Sequence, residues 1–328
     1  MNKKVVTYSP SITIALTRAC TNRCRYCGFR EDGGGLLPFA KIQTIAIRAR
    51  SKDISEVLLM SGENADRVPP VKESLKSLGL VSLVAGTRKA AEYLLGLNLL
   101  PHINIGVLSF TGLQELKGVS ASMGLMMEGD YGRLGAAVHP QKKFAHRLQN
   151  LAWAGQLEIP FTTGILIGLG ETQKDRLRSI QAITDCGKIY GHIQEIILQN
   201  YVPNRRSPLP AHKISPGELK ELIDLAREIL PEVSLQIPPN LNPSWADLLA
   251  LGFDDLGGIS IETDLVNRGY PWPSIETITE ILKQKKYRLR KRLPIYPKYY
   301  RQGWFSPEVG RVIEKWVQSN HEYQYYTQ

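Results

Sequence analysis

The chain has 328 residues, 43% hydrophobic and 22% charged, the balance of a folded globular protein with enough apolar material for a large core. Its first residues lack an apolar leader core, and no later run is long and apolar enough to span a bilayer, so a cytoplasmic location and no membrane partner are expected. The formal net charge of +10 points to a nucleic acid, an anionic substrate or an acidic protein partner.

Residues 11–17 alternate apolar and polar with a period of two and predict a first strand. Cys20-Thr-Asn-Arg-Cys24-Arg-Tyr-Cys27 follows on the loop at its carboxyl end. One curled loop with this spacing can bring all three sulfurs onto one metal cluster. Three ligands for a cubane leave one iron without a protein partner, and an open iron is a binding position. Structural zinc asks for a fourth Cys or His close by, and none stands near the run. Four cysteines and no secretory signal argue against a disulfide and suit a reducing compartment. The glycines of Asp32-Gly33-Gly34-Gly35 read as a flexible connector, because no Gly-Lys-Ser/Thr follows to make a phosphate loop.

Residues 38–50 predict a helix opened by Pro38, and 56–60 a buried strand ended by Ser61-Gly62-Glu63. Then come a strand at 81–85, a helix at 89–97, a strand at 103–108, a short helix at 113–117, a strand at 120–127 and a helix at 144–154. A strand at 161–167 ends in Gly168-Leu-Gly170-Glu171, and a helix at 173–186 carries Cys186, which reads as a small buried residue. After a strand at 194–199, Ser215-Pro-Gly-Glu218 starts a helix to about residue 230 with a capping box. Segments at 235–237, 245–251 and 258–261 continue the alternation, and 274–284 is the last helix. About eight such units predict an α/β fold, a (β/α)8 barrel over residues 1–285, with a basic, aromatic extension over 286–328 that packs on it and holds one amphipathic helix at 307–317.

Nine of the positive residues fall between Lys283 and Arg301, interleaved with tyrosines. That pattern can bind RNA or single-stranded DNA. A charged segment that packs its aliphatic stems on the barrel explains it equally well, and that reading is preferred.

The cysteine spacing resembles the signature of the radical S-adenosylmethionine (SAM) enzymes. The resemblance implies a [4Fe-4S] cluster on Cys20, Cys24 and Cys27, SAM on the fourth iron, and reductive cleavage to methionine and a 5'-deoxyadenosyl radical. In such a barrel the active site lies at the carboxyl ends of the strands. There Ser61-Gly62-Glu63 resembles the family's Gly-Gly-Glu element, which holds the methionine amino group, with Ser in the first place. Ser122 and Glu128 stand where the family contacts ribose and carboxylate. Gly164 to Glu171 fits its Gly-x-Ile-x-Gly-x-x-Glu element, with Leu166 and Tyr26 implied to lie against adenine.

Longer stretches resemble one branch, the CofG type of 7,8-didemethyl-8-hydroxy-5-deazariboflavin synthase. They include Cys24-Arg-Tyr-Cys27-Gly-Phe-Arg30, Leu59-Met-Ser-Gly-Glu63, Gly191-His-Ile-Gln-Glu-Ile-Ile-Leu-Gln-Asn200, Gln236-Ile-Pro-Pro-Asn-Leu241, Asp255-Leu-Gly-Gly-Ile-Ser260 and Arg292-Leu-Pro-Ile-Tyr-Pro297. The likeness covers nearly the whole chain, with departures at residues 64–67 and 139–146 that bear on the substrate pocket. It implies that a CofH-type partner joins tyrosine's 4-hydroxybenzyl group to 5-amino-6-(D-ribitylamino)uracil, and that this protein closes the ring of the adduct and expels ammonia. It also implies an acidic flavodoxin-like or ferredoxin-like electron donor, which the positive charge would steer.

Such a substrate asks for amide and hydroxyl partners, and Gln199, Asn200, Gln236, Asn240 and Ser260 fall at later strand ends. Each could instead satisfy loop backbone, and His102, His192 and His212 read as structural. Alternatives are the partner-type transferase, a biotin-synthase-like or menaquinone-pathway enzyme, and, in a different class, an RNA-binding or RNA-modifying protein.

Overall fold

In the computed structural model, which describes residues 4–207, 209–260, 262 and 264–328, the chain forms nine strands. They are β1 (Lys4–Thr17), β2 (Glu56–Ser61), β3 (Leu100–Asn104), β4 (Ser122–Gly124), β5 (Phe161–Ile167), β6 (Ile193–Asn200), β7 (Ser234–Gln236), β8 (Asp255–Ser260) and β9 (Tyr287–Lys291). All pair in parallel in the order β2-β3-β4-β5-β6-β7-β8-β1-β9, and a further pairing of β2 with β1 closes the first eight into a barrel. Helices in the connections cover its outer face, as parallel strands require. The expected (β/α)8 barrel is the fold observed. Among the described residues no helix is long and apolar enough to cross a membrane.

β1 is twice the length expected from its alternation because it serves three neighbours. Its residues 11–17 pair with β2 and residues 4–8 with β9 on one edge, while residues 7–11 pair with β8 on the other. β9 therefore sits below β2, at the amino end of the barrel. It lies inside the basic run, where the sequence showed charge and not strand. Alternation along β9 sends Arg290 over the Tyr325 ring at 4.5 Å, and just beyond it Arg292 lies over Tyr296 at 4.5 Å. Leu293, Ile295, Tyr299, Trp316, Tyr323 and Tyr326 build an apolar cluster reaching Leu100 and Ala121. Much of the aromatic content of this segment is thus spent on packing.

Other expectations are corrected. Residues 81–85 are not a strand: Val81 is 93% exposed, Ser82 caps a helix at Leu83–Gly96 by accepting from the Ala85 amide, and Leu83, Thr87, Ala90, Ala91 and Leu94 face the core at helical spacing. Four apolar residues around one serine are too short a run to show which period they follow. β3 begins three residues before the expected 103 and ends at Asn104, and the chain turns at Gly106. The strand expected at 120–127 is regular only over Ser122–Gly124, yet Leu125 and Met127 amides still reach the β5 carbonyls of Thr162 and Gly164. Helices at Pro69–Ser77, Gly132–Val138 and Pro297–Gln302 were not anticipated. The strand expected at 258–261 starts three residues earlier, and Ile261 lies outside the described residues. The capping box at Ser215 and Glu218 is present.

Cys186 is buried, as is His192, whose two ring nitrogens have no hydrogen-bond partner among the described residues and whose ring packs between Phe161 and Tyr190. Burial holds the imidazole down at about 4. The unfolded chain takes up this proton at higher pH than the folded one, so His192 subtracts stability as pH falls through the window between its unfolded value and about 4. Replacing His192 with phenylalanine is expected to remove about 2 kcal/mol of the stability difference between about pH 7 and about pH 5, read by denaturant unfolding at both. An unchanged difference would contradict the assignment.

Candidate active site

The cysteine loop leaves β1 and is strapped to the end of β2. The Thr21 amide and hydroxyl both donate to the Glu63 carbonyl at 3.1 Å, and the Glu63 amide donates to Cys20 Sγ at 3.2 Å. Amides of Asn22 and Arg30 donate to Cys20 and Cys27 sulfur at 3.4 Å. Gly62 makes the approach possible, since a Cβ there would stand 2.0 Å from the Ala19 carbonyl oxygen and 2.5 Å from Cys20 Cβ. Burial pushes the Cys24 thiol up to about 11 against the opposing pull of Lys142, and raises Cys20 as well. All three cysteines line one cavity, with amide donors to the Cys20 and Cys27 sulfurs, and thiols on one loop are the ligand chemistry that suits an iron–sulfur cluster.

A cavity of about 380 Å³ opens beneath the loop and is lined by all three cysteines together with Tyr26, Ser61, Gly62, Glu63, Glu128 and Leu166. Two ion pairs organise this wall. Arg147, on the helix Phe144–Gln156, donates to Glu63 at 2.6 Å and to the Met126 carbonyl at 2.9 Å. Lys142 pairs with Glu128 and stands 5.6 Å over the Tyr26 ring, while His139 meets that ring edge-on at 6.0 Å. Burial opposes ionisation of Glu128, but Lys142 and Arg147 outweigh it and hold the carboxyl down at about 2. Glu128 adopts φ +66°, and its carbonyl accepts from the Leu166 amide at 2.9 Å.

Tyr26 and Leu166 share an apolar patch with Val138, Leu169 and Tyr201. Below Leu166, Glu171 is committed to the fold: its carboxylate accepts from the Gly168 and Leu169 amides at 2.7 and 2.8 Å. The His212 carbonyl stands 2.8 Å from where a Gly168 side chain would begin, so the residue here has to be glycine, at φ +91°.

Ser122 is placed differently from the other expected contacts. It is fully buried, bonded to His102 Nδ1 at 2.7 Å, and does not line the cavity. Gln199, Asn200, Gln236, Asn240 and Ser260 all do. Among them, Asn200 donates to the Leu241 carbonyl, Asn240 donates to Asp264 and to the Tyr270 carbonyl, and Ser260 Oγ accepts from the Glu262 amide. Among the described residues no such bond engages the side chains of Gln199 on β6 or Gln236 on β7.

Residues 14–183 match the Radical SAM superfamily. A curated relative from Archaeoglobus fulgidus, 7,8-didemethyl-8-hydroxy-5-deazariboflavin synthase, is 40% identical over 319 residues, covering 95% of this chain and 97% of the relative. One of the same name from Trichormus variabilis is 40% identical, covering 95% of this chain and 91% of the relative. This chain belongs to the radical SAM superfamily, in the deazariboflavin synthase family. The barrel is also similar to that of an FeFe-hydrogenase maturase from Carboxydothermus hydrogenoformans, at TM-score 0.68 and 20% identity, over 98% of this chain and 76% of that one. A methylornithine synthase matches at TM-score 0.67 and 15% identity, over 87% of this chain and 83% of that one.

This radical SAM barrel holds two groups of residues that the sequence reading missed. Lys142, His139 and Arg147 come from a segment with no motif, and only the tertiary fold brings them to Tyr26, Glu63 and Glu128. The second group lies at the amino end of the strands. Arg292, buried, donates to Asp255 at 2.6 and 2.9 Å and to Glu195 at 3.0 Å. Thr7 also bonds Asp255, and Thr162 donates to Glu195 at 3.0 Å. These acids had a legible signal, an ionisable residue embedded in an apolar strand run, where burial demands a partner.

Proposed function

We propose that this protein converts the adduct 5-amino-5-(4-hydroxybenzyl)-6-(D-ribitylimino)-5,6-dihydrouracil into 7,8-didemethyl-8-hydroxy-5-deazariboflavin with loss of ammonia, as a radical SAM carbon–nitrogen lyase. The observation that carries the reading is the end-to-end kinship with synthases of that name, joined to a three-cysteine loop that opens onto an enclosed cavity.

Cys20, Cys24 and Cys27 would hold a [4Fe-4S] cluster, and Tyr26, Ser61, Gly62, Glu63, Glu128 and Leu166 would seat SAM; Ser122, behind the wall and bonded to His102, is not among these contacts. Bound together, cluster and SAM supply a 5'-deoxyadenosyl radical for hydrogen abstraction. The chain's task is to position and to enclose. Lys142 and Arg147 hold the Glu128 and Glu63 carboxylates in place, Leu166 and Tyr26 offer an apolar face, and the barrel wall keeps water from a carbon radical that attacks any C–H nearby. Gln199 and Gln236 are the amides best placed for the uracil edge, with Asn200, Asn240 and Ser260 at its margin. A CofH-type enzyme in the same cytoplasmic compartment would supply the adduct. An acidic flavodoxin-like or ferredoxin-like donor would meet Arg23 and Arg25, both exposed on the cysteine loop.

The test is anaerobic turnover of the adduct with SAM and a reductant, measuring deazaflavin fluorescence and 5'-deoxyadenosine together. Both products are expected in step from the native protein, and neither from Cys24→Ala, which should also lose bound iron. Deoxyadenosine formed by Cys24→Ala, or turnover of tyrosine plus pyrimidine in place of the adduct, would reject this function.

A further inference from the structure

The cavity continues well below the cysteine loop. On β6, Gln199, Ile197 and Glu195 alternate with outward residues and all line it, which puts Glu195 about 13 Å below Gln199 at the rise of an extended chain. β2 repeats the arrangement with Met60, Leu58 and Glu56, and β3 with Asn104 and His102. The deep end is therefore walled by Glu56, His102, Thr162, Glu195 and Arg292, where barrels of this class ordinarily stack branched aliphatic side chains.

Hydrogen-bonding capacity at this depth is unevenly used. The Arg292 guanidinium is spent on Asp255 and Glu195, and Thr162 on Glu195. Glu56 is 7% exposed, and among the described residues the hydroxyls of Ser9 and Ser11 are the donors that face its carboxyl, Ser11 Oγ at 3.4 Å from one oxygen. His102 commits Nδ1 to Ser122, and burial keeps the ring neutral, while Nε2 packs against Gly124 and has no hydrogen-bond partner among the described residues. A buried carboxyl met only by hydroxyls and a half-used imidazole are costly unless a polar group occupies the adjoining space.

We propose that this floor is the subsite for the polyhydroxylated arm of the substrate, with Glu56 and His102 as the residues that contact it; the proposal rests on the function given above. The reacting atoms must face the cysteine loop, so the ribityl arm, which extends away from them, is the part that can reach the depth. Its hydroxyls each donate and accept, which matches a carboxyl beside an imidazole. A uracil edge presents mostly carbonyl acceptors and needs donors, which the floor has already consumed and which the glutamines nearer the mouth still offer.

Fluorescence titration of the cluster-loaded protein with 7,8-didemethyl-8-hydroxy-5-deazariboflavin, and with its counterpart bearing an N10-ethyl group in place of the ribityl arm, tests this. The native protein is expected to prefer the ribityl ligand by about tenfold or more, a charged-group hydrogen bond's worth. In Glu56→Ala that preference should fall to about twofold or less, with affinity for the N10-ethyl ligand unchanged, and His102→Phe should narrow it as well. Equal binding of both ligands by the native protein, a preference that survives Glu56→Ala, or a loss of both ligands in that variant overturns the subsite while leaving the function standing. Binding of neither ligand by the native protein overturns the function, and the subsite with it.

Discussion

Replacing Gly62 with alanine is expected to strip the cysteine loop of iron while the barrel stays folded. The added methyl would stand 2.0 Å from the Ala19 carbonyl oxygen and 2.7 Å from its carbonyl carbon, and neither backbone atom can swing aside as a side chain would. Relief has to come from parting β1 and β2 at their carboxyl ends. That separation breaks the bonds from the Thr21 amide to the Glu63 carbonyl and from the Glu63 amide to Cys20 sulfur. Below the break, Ile12, Ile14, Val57 and Leu59 remain fully buried, so the loss of stability should stay near the 1–3 kcal/mol typical of overpacking, about 2 kcal/mol. Iron per chain after anaerobic reconstitution should fall to about a fifth or less, since a cubane missing its fixed Cys20 ligand has lost a third of its protein anchorage. Gly34→Ala is the control, because nothing lies within 4 Å of a side chain there. Full iron in Gly62→Ala would mean that the loop is held by something other than this contact.

The second large effect is expected at the opposite end of the barrel. Arg292→Met removes the cation bonded to both Glu195 and Asp255, which are buried and, among the described residues, otherwise accept from Thr162, Thr7 and the Gly257 amide. Breaking a buried pair leaves an uncompensated charge, so a destabilisation of about 3–5 kcal/mol is expected. Burial already raises the Glu195 carboxyl in the native protein, whereas at Asp255 Arg292 outweighs burial and holds the carboxyl below the usual carboxylate range. Without the guanidinium, burial and Glu195 lift Asp255 as well, so there the folded variant binds a proton more tightly than the unfolded chain. The deficit should therefore shrink as pH falls, the reverse of a simple cavity. Lysine should rescue poorly, since a single ammonium does not reproduce the two-sided fork. Denaturant unfolding of the three proteins at neutral and mildly acid pH checks the claim, and a deficit independent of pH would count against it.

Particular residues mark how far local pattern reached. The alternation at 11–17 and the apolar run at 161–167 announced barrel strands because a period of two, or a short apolar stretch bounded by glycine, needs no distant partner to be seen. Ser215 and Glu218 announced a helix start for the same reason. Residues 81–85 misled because four apolar residues around one serine carry no period, and the deciding feature was that serine's cap, whose bond only the folded turn makes. β9 was hidden by its own composition, as one of its basic side chains, Arg290, is carried on the ring of Tyr325 from far along the chain.

The sequence by itself determined the barrel, the three thiols on one short loop and the family, because spacing within a loop and periodicity within a strand are local. Tertiary structure alone decided that Arg147 and Lys142 stand against Glu63 and Glu128, that Ser122 turns away toward His102, and that Arg292 closes the floor between Glu195 and Asp255. Each of those is a meeting of polar or charged groups from separate parts of the chain, and burial, which makes an unpartnered group costly, exists only once the strands have closed.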